Sequence, residues 1–108
     1  MITKYKNRYL LIESSEATSP MKNALQISNA IKKEIGEIGY SIASPKIMLQ
    51  FNESVFIMRV NRGHEGDIIL ALSFIKKLDG KSIGLYSIKV SGTIRKLLDF
   101  CSNAYKTA

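Results

Sequence analysis

The chain has 108 residues, 45% of them hydrophobic, with a net charge of +7 and one cysteine; that length and apolar fraction describe a single domain with one core and exclude a disordered chain. One cysteine excludes an internal disulfide and a multi-cysteine metal site, as expected of a protein in the reducing cytoplasm. Residues 1–54 carry seven Lys/Arg and five Asp/Glu while residues 55–108 carry nine and four, so the basic second half points to a polyanionic partner, nucleic acid first, with solubility charge as the plainer alternative.

Tyr9 to Ile12 is a compact apolar run between Arg8 and Glu13 and predicts a first strand. Ser14 to Ser19 is a polar loop. Ser19 then suits an N-cap and Pro20 the first helical position, where its missing N–H costs nothing. The helix that follows puts Ala24, Ile27, Ile31, Ile35 and Ile38 on one face. Gly36 or Gly39 ends it, and Ser41 to Pro45 connects it onward.

Ile47 to Phe51 predicts the second strand and Val55 to Val60 the third, joined by a hairpin turn at Asn52-Glu53. The alternation sets Phe56, Met58 and Val60 on one face and Val55, Ile57 and Arg59 on the other. After the loop Asn61 to His64, a second helix is expected over Asp67 to Leu78, burying Ile68, Ala71, Leu72, Ile75 and Leu78 and stopping at Asp79-Gly80. Ile83 to Val90 is the fourth strand, with Tyr86, Ile88 and Val90 on one face and Leu85, Ser87 and Lys89 on the other. A last helix after Gly92 aligns Ile94, Leu97, Leu98, Cys101 and Tyr105.

The order β-α-β-β-α-β plus a terminal helix predicts a ferredoxin-like, split-βαβ α/β sandwich forming a single domain over 1–108. Helices one and two should cover a sheet face bearing Leu10, Ile12, Phe56, Met58, Ile88 and Val90. The second face would show Tyr9, Leu11, Val55, Ile57, Arg59, Leu85 and Lys89. That surface is too apolar to stay bare, so the third helix should cover part of it and another chain the rest.

The corner Ser91-Gly92-Thr93-Ile94-Arg95-Lys96 joins the fourth strand to the third helix. Ser91 or Thr93 can cap the helix, and Gly92 eases the turn. Cations in a first helical turn oppose the helix dipole, whereas N–H groups, hydroxyls and cations together suit a phosphate. An ordinary capped turn facing water is the alternative.

Other chemistry is poorly supported. The third strand lacks the aromatic pattern with which RNA-recognition motifs stack bases, which favours contact with phosphates and shape. His64 reads as a loop residue and Cys101 as a buried thiol, so no nucleophile pair is expected. No carboxylate cluster has ligand or acid–base spacing, and Gly63-His64-Glu65-Gly66 matches no phosphate loop. No signal-peptide pattern follows Met1, and the longest apolar run, Ile68 to Leu72, is far too short to span a bilayer. No basic amphipathic helix with an aromatic face suggests a membrane surface.

Ser91-Gly92-Thr93-Ile94-Arg95-Lys96 closely resembles the C-terminal signature of the archaeal ribonuclease P protein component 2 family, the Pop-type subunits. Arg8-Tyr9-Leu10-Leu11 is similar to the family's first strand and Gly36-Glu37-Ile38-Gly39-Tyr40 to the segment after its first helix. Arg59 and Arg62, then Ala71-Leu72 and Ile75, resemble its third strand and following helix. The chain departs from the pattern at Gly66 and Asp67, where many members carry Val and a basic residue.

The resemblance implies a protein subunit of ribonuclease P, the ribonucleoprotein that removes the 5′ leader of precursor tRNA. The RNA would hold the catalytic site and its Mg²⁺, with no cofactor on the protein. The subunit would bind the catalytic domain of the RNA, and precursor tRNA indirectly. Protein component 3 would be its partner, in a heterotetramer built on self-association. The RNA-binding candidates it implies are Arg59, Arg62, Arg95 and Lys96, with Ser91 and Thr93 as hydroxyl donors. A stand-alone RNA-binding module of the same fold is the alternative. A small acylphosphatase-like enzyme would need an anion loop near the first strand, and none is present.

Overall fold

The computed structural model describes residues 7–16, 23–78 and 80–104. Its strands are β1 (Asn7–Ser14), β2 (Lys46–Asn52), β3 (Val55–Asn61), β4 (Lys77–Leu78), β5 (Lys81–Ser82) and β6 (Leu85–Ser91); its helices are α1 (Ala24–Ala43), α2 (Glu65–Ser73) and α3 (Ile94–Ala104). Four strands form an antiparallel sheet in the order β2-β3-β1-β6. This is the α/β sandwich with split-βαβ topology expected from the sequence. The proposed cap Ser19, Pro20 and the stripe residue Tyr105 lie outside the described residues.

β1 is central and covered on both faces, which is why it reads as a continuous apolar run. Leu10, Leu11 and Ile12 are all fully buried. Successive residues feed two cores. Leu10, Ile12, Phe56, Met58 and Val60 pack with Ile27 and Ile31 of α1 and Ile68, Ala71 and Leu72 of α2. Leu11, Val55 and Ile57 pack on Leu97 and Cys101 of α3.

The apolar centre of the second sheet face is therefore covered by α3, while Tyr9 and Arg59 stay half-buried and Lys89 exposed on it. Leu11, Val55 and Ile57 are no more than 1% exposed, so no other chain is needed to cover them. The exposed apolar side chains lie mainly on the helical layer, with Leu25 and Ile38 on α1 and Leu70 on α2, followed by Phe74 just beyond α2.

The faces of β6 also differ from simple alternation. Leu11 pairs with Lys89 but Ile12 with Ser87, leaving Ile88 as the extra residue of a β-bulge. The bulge resets which side chains share a face. Ile88 joins the α3 layer and Leu85 the α1–α2 core, the reverse of the expected assignment. Val90 is 42% exposed on this edge strand.

Both early helices end differently from expectation. At Gly36 the backbone leaves helical geometry (φ 79°, ψ 167°) and α1 then resumes to Ala43. Gly36 is thus a kink and not a stop. The kink shifts the helical phase, which leaves Ile38 79% exposed and off the buried stripe. α2 stops at Ser73, where the Phe74 and Ile75 N–H groups donate three residues back, to Ala71 O and Leu72 O (both 3.1 Å). Ile75 and Leu78 are buried as expected, but from outside the helix. Lys77–Leu78 instead pairs with Lys81–Ser82 as a small hairpin.

Candidate functional site

Antiparallel pairing brings three distant segments to one end of the sheet. Asn7 opposes Asn61 across the β1–β3 ladder, and Tyr9 opposes Ser91 across the β1–β6 ladder. The start of β1, the loop after β3 and the turn after β6 therefore meet. Between them is a cavity of about 350 Å³ lined by Asn7, Arg8, Arg62, Gly92, Thr93 and Lys96.

Each wall is fixed by local hydrogen bonds. The Thr93 N–H donates to Ser91 Oγ (3.2 Å), and the Lys96 N–H donates to Thr93 Oγ1 (3.3 Å). Thr93 is thus the N-cap of α3, and Ser91, itself buried, braces the turn beneath it. On the opposite wall, Gly63 adopts a positive φ of 94° and its N–H donates to the Glu65 carboxylate. The His64 N–H donates to Asn61 O (3.1 Å), and Asn61 Nδ2 donates to Ile42 O (2.6 Å). These bonds hold the loop that carries Arg62.

The electrostatics are one-sided. Arg8, Arg62 and Lys96 line one cavity, and no carboxylate shares the lining. Among the described residues none of the three makes an ion pair; the nearby His64 Nδ1 and Asp67 Oδ2 lie 3.7 Å apart. Three uncompensated cations repel one another, and an anion between them removes that repulsion. The same field opposes a metal cation. Among the described residues no three His, Cys, Asp or Glu side chains are grouped to hold one.

The candidates taken from the sequence divide into two sets. Arg62, Thr93 and Lys96 are brought together in the cavity. Ser91 lies under the turn. Arg95 is exposed on α3 and does not line the cavity; adjacent helical residues point about 100° apart, so Arg95 and Lys96 face different ways. Arg59 stands half-buried within β3, opposite Tyr9 on one side and Lys46 on the other. The sequence alone does not point to Arg8 and Asn7 as site residues. Arg8 carries a signal, being a cation at the mouth of the first strand, but only the strand register shows that it meets Arg62 and Lys96.

Gly92 has a different role from the one its position in the turn suggests. The positive-φ glycines here are Gly36, Gly63 and Gly80, and Gly92 is not among them. A Cβ at Gly92 would lie 3.5 Å from Arg8 Nη1. The missing side chain leaves space beside the guanidinium.

Cys101 does not approach this corner. It is fully buried under the sheet, and burial pushes its thiol pKa up. Among the described residues no helix is long and apolar enough to cross a membrane.

Comparisons with known proteins agree with this architecture. A model of the Rpp14/Pop5 family matches residues 8–102. Ribonuclease P protein component 2 of Pyrococcus furiosus is 29% identical over 96 residues, covering 85% of this chain and 79% of that protein. The ribonuclease P/MRP protein subunit POP5 of Schizosaccharomyces pombe is 27% identical over 116 residues, covering 88% of this chain and 82% of that one. A chain in the cryo-EM structure of yeast ribonuclease MRP superposes with a TM-score of 0.66 at 14% identity, with 98% of both chains covered. That last likeness is one of fold.

Proposed function

The chain belongs to the Rpp14/Pop5 family, and from that membership we propose that it is a protein subunit of ribonuclease P, acting in the removal of the 5′ leader from precursor tRNA. It binds the catalytic domain of the ribonuclease P RNA and contributes no nucleophile of its own. The observation that supports RNA contact is the convergence of Arg8, Arg62 and Lys96, free of ion pairs among the described residues, on one cavity. Cations there displace condensed counterions from RNA phosphates, and the released ions supply much of the affinity. Phosphate contacts fix register without reading sequence.

In this reading the Mg²⁺ ions belong to the RNA, since a cavity lined by cations attracts phosphate and repels metal. The protein holds the RNA in its active conformation at lower Mg²⁺. Protein component 3 is the proposed protein partner, in a heterotetramer, and the cytoplasm the compartment. α3 covers Leu11, Val55 and Ile57 on its side of the sheet, while the exposed apolar side chains Leu25, Ile38 and Leu70 lie on α1 and α2.

Reconstitution tests the proposal. The RNA, this protein and component 3 are combined at limiting Mg²⁺, and leader removal is measured with each omitted in turn. The expected result is loss of cleavage without the RNA, and a higher Mg²⁺ requirement without either protein. An Arg62→Ala, Lys96→Ala double variant should shift the Mg²⁺ requirement the same way. Cleavage by protein alone overturns the reading. Binding and stimulation of the RNA that component 3 does not alter would favour a stand-alone RNA-binding module.

A further inference from the structure

We infer that the Arg8–Arg62–Lys96 cavity receives one unpaired nucleotide of an RNA and not a backbone phosphate alone. The inference rests on the RNA-binding reading above and goes beyond it in the chemistry of the ligand.

Size is the first argument. The cavity measures about 350 Å³, equivalent to roughly twelve water molecules at their liquid volume. Small-molecule pockets begin near about 300 Å³, and a phosphate group would leave most of the space empty.

The lining is the second. A nucleotide looped out of a helix carries a phosphate on each side, and three cations from three separate segments are more than one phosphate needs. The two guanidinium groups are planar surfaces of the kind on which unstacked bases rest. Asn7 adds a side-chain amide with both a donor and an acceptor, which is what a base edge requires. The Thr93 oxygen already accepts the Lys96 N–H, and its own hydrogen is free to be donated to a ribose or phosphate oxygen.

Gly92 is the third. Its backbone lies outside the left-handed region, so the conformation does not demand glycine. Its effect is on space: an added Cβ would rest in ordinary contact 3.5 Å from Arg8 Nη1, and a branched side chain would extend further. A flat phosphate-binding surface is indifferent to that bulk; a pocket for a base loses part of its space. A duplex keeps its bases stacked and cannot fill this space, whereas an unpaired nucleotide is displaced at little cost.

The test uses the full chain and two RNA hairpins of equal length, one fully paired and one with a single unpaired uridine. Binding is followed by fluorescence anisotropy across a salt series. The bulged hairpin should bind about tenfold more tightly, the scale of one base stacked and hydrogen-bonded. Gly92→Val keeps every cation. It should bring the bulged hairpin down to within about twofold of the paired one, and lower the salt slope by less than the loss of one cation does. Circular dichroism checks that the variant is folded, and Asn7→Ala, which removes only the amide, should independently narrow the difference. Equal affinity of the two hairpins for the unaltered protein, or a bulge preference that survives both substitutions, overturns the inference while leaving phosphate contact intact. Failure to bind either hairpin overturns the RNA-binding reading itself.

Discussion

Asn7 lies opposite Asn61 in the β1–β3 ladder, and this pairing brings Arg8 and Arg62 to the same cavity. The two arginines are far apart in sequence. Neither is placed by a motif; both are placed by the register of the central strands. Lys96 reaches them because β6 lies on the other side of β1 and its turn leads into α3.

The three cations should therefore behave alike, and differently from Arg95. Arg8→Ala, Arg62→Ala and Lys96→Ala are each expected to weaken RNA binding and to lower the salt slope by about one. Arg95→Ala, outside the cavity, should change the slope less. Binding isotherms over a range of salt concentrations check both statements.

Thr93 joins the cavity to the stability of α3. Its Oγ1 accepts the Lys96 N–H, so Thr93→Ala should cost about 1 kcal/mol, the ordinary loss of an N-cap. Thr93→Ser keeps the acceptor and should cost much less. Urea unfolding monitored by circular dichroism separates the two.

Gly36 and Gly66 predict opposite responses to alanine. Gly36 sits at φ 79°, ψ 167°, a region held almost only by glycine, and Gly36→Ala should destabilise by about 1–3 kcal/mol. Gly66 is helical, with nothing within 4 Å of an added Cβ. Gly66→Ala should stabilise by about 0.5–1 kcal/mol. Thermal melts of the two variants should move in opposite directions.

Cys101 predicts a decline of stability at alkaline pH. Burial raises its thiol pKa in the folded protein, so the folded state holds the proton that the unfolded state gives up. Its contribution is complete below the ordinary thiol pKa, about 8.5. It is lost as pH rises from there through the higher folded value. Comparing wild-type and Cys101→Ala stability between neutral and alkaline pH isolates this slope. In the native protein, alkylation of the thiol should be slow and limited by unfolding.

Much of the fold is legible because its signals are local. The apolar runs around Leu10 and Ile57 locate the central strands, and the three-and-four spacing of Ala24, Ile27 and Ile31 locates α1. The errors arise where a non-local or non-periodic event intervenes. Ile75 and Leu78 continue a helical spacing after the helix has ended, because burial does not distinguish a helix from a short hairpin packed on the same core. The bulge at Ile88 has no residue signature, yet it exchanges the faces of Leu85 and Ile88. At the site, the hexapeptide shows the capped turn and Lys96. It does not show that Gly92 meets Arg8, which depends on the pairing of β1 with β6.

α3 closes the core and carries part of the binding surface on neighbouring residues. Leu97 is fully buried against the sheet, and Lys96, next to it, faces the cavity. Undocking of the helix would dismantle both at once. By mass action, any ligand held at Lys96 lowers the population of undocked molecules. RNA occupancy and the integrity of the second core are then one coupled equilibrium. Slower hydrogen exchange along α3 would report occupancy of the cavity, and so would protection of Cys101, one turn further along that helix.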